Sequence, residues 1–104
     1  MDSTIINDIK HLLSQNLPSN GKAFLFGSRA RGDARPNSDW DILIILDKEM
    51  LLPDDYDAIS YPLRVLGWEL GESINPIMYT ESEWMESKAT PFYHNVLTDA
   101  IALA

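Results

Sequence analysis

Two short groups in this 104-residue chain have residue types and spacing suited to chemistry. The first is Gly27-Ser28, which follows an apolar run and precedes a stretch able to form a helical turn. Glycine lets the backbone approach a ligand closely. Backbone N–H groups and the Ser28 hydroxyl at such a turn suit phosphate oxygens, to which Arg29 or Arg31 can add charge-assisted bonds. The second group is Asp39-Trp40-Asp41. In extended chain, residues i and i+2 project to one face with about 6.5–7 Å between their Cα atoms, so two carboxylates there can converge on one hard cation. Mg²⁺ takes oxygen ligands, usually one or two carboxylates together with substrate phosphates. Carboxylates beside a phosphate-holding loop are the layout of metal-assisted nucleotidyl transfer. Taken alone, each group also has a plainer origin, Gly-Ser in a tight turn and Asp-x-Asp at a solvated strand end.

The elements that must position these groups are legible around them. Ile5, Ile6, Ile9, Leu12, Leu13 and Leu17 keep a helical stripe over residues 3–17, with Ser3 or Thr4 as its cap and Pro18 to Gly21 as its stop. Lys22–Phe26 reads as a short buried strand, and Ser28 to Gly32 as a first helical turn. After the turn Pro36-Asn37-Ser38, Asp41–Leu46 is the strongest strand; its unbroken apolar run predicts cover on both faces. A loop over residues 48–55 leads into a helix over 55–70, in which Pro62 is expected to cause a kink. Ser73–Tyr79 is a third strand, and Pro76 within it predicts an edge position or a bulge. Thr80 to Glu83 read as a cap for a helix beginning near Trp84. A final helix is expected over 91–103, with Phe92, Val96, Leu97 and Ile101 as its apolar side. The order predicts an α/β fold, a small sheet with helices packed on it.

Composition narrows the chemistry. Cys is absent, which excludes disulfides, thiolate metal sites and cysteine nucleophiles. His11 and His94 have no partner at metal-binding spacing. The net charge of −8 opposes general binding to nucleic acid. Yet four of the eight Lys and Arg residues, Lys22, Arg29, Arg31 and Arg35, lie between residues 22 and 35, which suggests either a small anionic ligand such as a phosphate group or a basic loop that pairs with neighbouring acids. No apolar run approaches the roughly 20 residues that span a membrane. The N-terminus lacks the basic start and apolar stretch of a signal peptide, so the cytoplasm is the expected compartment.

Together, Gly27-Ser28-Arg29-Ala30-Arg31-Gly32 and Ser38-Asp39-Trp40-Asp41-Ile42-Leu43 resemble the signature of the minimal nucleotidyltransferases, within the DNA polymerase β-like superfamily. The resemblance covers most of the chain. It implies a polymerase β-like nucleotidyltransferase fold, a single minimal domain over 1–104 with a small mixed sheet of three or four strands. It also implies that Gly27, Ser28, Arg31 and Ser38 hold the nucleotide, and that Asp39 and Asp41 bind one or two Mg²⁺ ions and serve catalysis. Arg31 has a competing role in an ion pair with Asp33 or another local acid. The implied reaction moves a nucleoside monophosphate, AMP by first expectation, from an NTP to a hydroxyl. Minimal members frequently partner a HEPN-family helical protein as the antitoxin of a toxin–antitoxin pair, and some are thought to adenylylate that partner.

One position departs from the pattern. The family usually places a third carboxylate on the next strand, and the matching position here is Asn75. An amide oxygen can ligate weakly but cannot act as a base. Asp47, Glu69 and Glu72 are possible substitutes, with Glu72, just before the third strand, the better placed. Two functions therefore stand side by side. One is an active transferase; the other is a catalytically weakened nucleotide-binding or antitoxin module that neutralises a HEPN-type toxin by binding. Trp40, between the two acids, is expected to pack on the opposite face. Trp68 and Trp84 are expected to anchor the core or an interface.

Overall fold

The computed structural model describes residues 3–104. Helix α1 (Ser3–Asn16) leads into strand β1 (Lys22–Phe26), a single helical turn α2 (Ser28–Arg31) and strand β2 (Trp40–Leu46). Ser3 and Thr4, expected as the cap of α1, are its first two residues, and the position ahead of them lies outside the described residues. Next comes one helical run made of α3 (Pro53–Asp55), a wide π turn (Tyr56–Ser60) and α4 (Tyr61–Leu70). Pro62 accounts for the wide turn. It has no N–H for the Ala58 carbonyl and its ring crowds that group, so the helix widens ahead of it instead of breaking. Strand β3 (Ile74–Thr80), helix α5 (Glu81–Glu86), a 3₁₀ turn (Ser87–Ala89), helix α6 (Pro91–Asp99) and strand β4 (Ile101–Ala102) complete the chain. Thr80 caps α5 through a reciprocal box, its hydroxyl accepting from the Glu83 amide while the Glu83 carboxylate accepts from the Thr80 amide.

The four strands form a mixed sheet in the order β3-β2-β1-β4. Strand β1 is antiparallel to β2 and to β4, and β2 is parallel to β3. Pro76 therefore does sit on an edge strand. The expected final helix is shorter than its periodicity suggested. It stops at Asp99, because Ala100 turns to extended backbone (φ −59°, ψ 135°), and Ile101 and Ala102 pair with Leu25 and Phe24. This short strand satisfies backbone groups along an edge of β1 that would otherwise be bare. Leu97 and Ile101, which suggested a longer apolar helix side, are 58% and 47% exposed.

Strand β2 is central and covered on both faces, as its unbroken apolar run requires. Ile42, Ile44 and Leu46 join Ile9 and Leu13 of α1 and Leu63 of α4 in one cluster. Leu43 and Ile45 join Trp84 of α5 and Val96 of α6 in a second. Ile42 and Ile44 are wholly buried, and each contributes about 1.5–3 kcal/mol relative to an exposed side chain. This alternation decides where the acids point. Asp41 shares parity with Leu43 and Ile45 and so projects to the α5–α6 side, whereas Trp40 projects into the α1–α4 core, where it is 1% exposed. Among the described residues no helix is long and apolar enough to cross a membrane.

Candidate active site

Three elements meet at one end of β2. Antiparallel pairing sets Phe26 against Asp41, so Gly27 leaves β1 directly beside the Asp41 carboxylate. Gly27 has φ 77° and ψ −159°, a conformation that strains any other residue. The position its missing Cβ would occupy lies 2.5 Å from Asp41 Oδ2. The acid thus fills the space that a side chain at 27 would need, and the Gly-Ser turn and the Asp-x-Asp pair are brought together. Gly27 also starts α2: its carbonyl accepts from the amides of Ala30 and Arg31, both at 3.0 Å. Ser28 follows as the first residue of that turn.

From the other side, parallel pairing sets Asn75 against Asp41. The Asn75 side chain donates from Nδ2 to Asp41 Oδ1 at 3.2 Å. Asp39, exposed and two residues ahead on the same strand parity, completes the group. Its charge is felt at Asp41. Burial pushes the Asp41 carboxyl above its ordinary value and the Asp39 charge pushes the same way, while the Asn75 hydrogen bond and the Arg31 charge pull it back. Arg31 is tied to the acids on its own side, with Nε 3.2 Å from Asp33 Oδ2 and Nη1 2.8 Å from Asp99 Oδ2. Its expected alternative as a local ion-pair partner is therefore realised. Asp99, at the end of α6, was not legible as part of this region, because it lies 68 residues away in sequence and carries no motif.

The Asp41 shift has a consequence for stability. The fold favours the protonated acid, so the stability from this group is complete below the unfolded value of 3.8 and is lost as pH rises through the higher folded value. Asp41→Asn keeps an acceptor for Asn75 and carries no charge. It is expected to melt a few degrees above the native chain near neutral pH, with the difference vanishing below about pH 4. Thermal unfolding followed by circular dichroism across this range checks it.

The remaining expected residues fall as follows. Ser38 lies in the turn before Asp39; its hydroxyl accepts from the Arg35 amide at 2.9 Å. Arg29, weighed for phosphate binding, turns away from the site to the Trp40 side of the sheet, with its guanidinium carbon 4.4 Å from the centre of the Trp40 ring. Glu72 does not substitute for a third carboxylate. It accepts from Trp40 Nε1 at 2.9 Å, on the face opposite Asp41. Among the described residues no three His, Cys, Asp or Glu side chains converge as metal ligands. Two carboxylates and an amide suit Mg²⁺, a hard ion that accepts one or two protein carboxylates and completes its shell with phosphate and water.

Comparison with known proteins bears on the family and the fold. The family model described as polymerase beta, nucleotidyltransferase matches residues 7–102. A comparison with curated proteins returned no match. Among solved structures, one described as a minimal nucleotidyltransferase is 28% identical with a TM-score of 0.66, covering 97% of this chain and 95% of its own. A toxin–antitoxin crystal structure with AMP-PNP is 25% identical with a TM-score of 0.66, over 95% of this chain and 72% of its own. The toxin–antitoxin MntA-HepT, 20% identical with a TM-score of 0.61 over 99% of this chain and 72% of its own, shares the fold. With a family match along nearly its whole length and the signature residues gathered at one end of β2, the chain belongs to the polymerase beta nucleotidyltransferase family.

Proposed function

We propose that the chain is a Mg²⁺-dependent nucleotidyltransferase that moves AMP from ATP to a hydroxyl on a HEPN-type helical toxin. The observation that carries this reading is the approach of Asp41 to Gly27, which sets a carboxylate pair beside a turn suited to phosphate. Gly27 and Ser28 hold the triphosphate, and Ser38 flanks it. Arg31, already within electrostatic reach of Asp41, adds positive charge when it exchanges an acid partner for phosphate. Asp39 and Asp41 hold the ion, which when bound offsets charge on the phosphoryl oxygens. The acceptor oxygen attacks the α-phosphorus, the bond to the β-phosphate oxygen breaks, pyrophosphate leaves, and the hydroxyl proton passes to solvent water, since the Asn75 amide cannot take it. The similar structure crystallised as a toxin–antitoxin with AMP-PNP supports the choice of nucleotide and a toxin as partner.

Asn75 favours a second reading. With an amide where an acid would take the acceptor proton, the domain would hold nucleotide and neutralise the toxin by binding alone. Incubation with each labelled NTP, with and without a co-expressed HEPN protein, followed by mass spectrometry of both chains, separates the two. An AMP adduct that depends on ATP and Mg²⁺ is the expected result. A stable complex without adduct selects the binding module, and neither adduct nor complex rejects both.

A further inference from the structure

We infer that Arg29 is a positioning residue for Asp39, fastening both of that acid's chain neighbours to the turn that begins at Ser28; the proposal rests on the metal role given to Asp39 above. On one side, Arg29 Nη2 donates to the carbonyl of Ser38 at 3.0 Å and to that of Pro36 at 3.2 Å. On the other, the guanidinium lies over the Trp40 ring at 4.4 Å. Asp39 is thus the exposed residue between two anchored ones, Ser38 held by its carbonyl and Trp40 by its ring. Glu72 closes the assembly. Its Oε1 accepts from the Trp40 indole at 2.9 Å and lies 3.6 Å from Arg29 Nη2, so the largely buried cation has a counter-charge.

Because Arg29 directly follows Ser28, the spacing between the phosphate-side turn and the Asp39 carboxylate is set through one side chain. Lysine cannot replace it. Both carbonyl bonds come from Nη2 alone, but the planar guanidinium that carries it also stacks on the indole, which the compact, strongly hydrated ammonium of lysine does not reproduce. The same commitments remove Arg29 from phosphate binding.

The test uses Arg29→Lys in the native and Asp39→Asn backgrounds, with Mn²⁺ alone as probe and the free ion followed by electron paramagnetic resonance. With Asp39 present, Mn²⁺ affinity is expected to fall by about tenfold to a hundredfold, the usual effect of losing a group that orients a ligand. In the Asp39→Asn background no further fall is expected. An equal fall in both backgrounds would mean general loosening of the site and overturns the proposal, as does unchanged affinity in the native background. Hydrogen exchange over residues 33–39 gives a second readout and is expected to speed up about tenfold. Unchanged exchange overturns the clamp even if the native chain binds no Mn²⁺, an outcome that by itself faults only the metal role of Asp39. Should Arg29→Lys fail to fold, Glu72→Gln removes the counter-charge but keeps an oxygen for the Trp40 indole. The same two comparisons then apply to it, with the same results expected and the same results overturning.

Discussion

A variant carrying Asp39→Asn and Asp41→Asn is expected to lose Mg²⁺-dependent binding of ATP, its affinity by calorimetry falling at least about a hundredfold. The direction of this effect is informative because simple electrostatics predicts the opposite. The chain carries a net charge of −8, and removing two carboxylates beside a triphosphate lessens repulsion. Without metal, the variant is therefore expected to bind ATP no worse than the native chain. A loss that appears only with Mg²⁺ means that the two acids act through the ion. Misfolding is a poor alternative explanation, since neutralising Asp41 removes a charge that burial disfavours and should leave the protein more stable near neutral pH. Equal Mg-ATP affinity in the variant and the native chain would reject the site assignment.

The parts of the fold that position this site were legible because each is specified locally. Strand β1 and the core of β2 announce themselves by unbroken apolar runs, and Pro76 marks an edge because it lacks a ladder donor. Parity alone placed Trp40 opposite Asp39 and Asp41. What escaped the sequence depends on contacts between distant segments. Strand β4 was hidden because Leu97 and Ile101 keep helical spacing, while the feature that ends the helix is the pairing demand of β1. Glu72 stands near the start of β3 and was a reasonable candidate for the missing acid, until the Trp40 indole and Arg29 drew its carboxylate to the other face. Arg29 and Arg31, two residues apart on a single helical turn, leave in different directions, one to the Trp40 core and the other to Asp99. Residue type gave no hint of that division of labour.

Asp41 is held partly buried, near a like charge, in contact with a glycine whose backbone no other residue adopts comfortably. Each feature costs stability, and concentration of such features at one place is the usual mark of a site kept for function. The Asn75 amide moderates the cost by donating to Asp41 without adding charge. An acid at the same register position would instead set a further negative charge against Asp41.

Asn75→Asp should reverse that compromise. It places a carboxylate oxygen where an N–H donor now stands 3.2 Å from Asp41 Oδ1, with Asp39 close by. Without metal, three acids would crowd one place, and the Asp41 carboxyl, already pushed up by burial, would rise further. Stability from a group raised in this way is lost as pH rises through its folded value, so the variant should melt below the native chain at neutral pH and recover in mild acid. With Mg²⁺ the ion takes the place of the proton. Metal affinity is then expected to increase on the order of tenfold through the added charged ligand, and saturating Mg²⁺ should raise the melting temperature more than it does for the native chain. If the absent acid is what limits turnover, nucleotide transfer should also rise, by about a hundredfold, since a positioned carboxylate can take the acceptor proton. A Mg²⁺ shift no larger than that of the native chain would show that the register position opposite Asp41 is not a ligand position at all. Tighter metal binding without any transfer would instead mean that catalysis is limited elsewhere, and would favour a domain that works on its partner by binding.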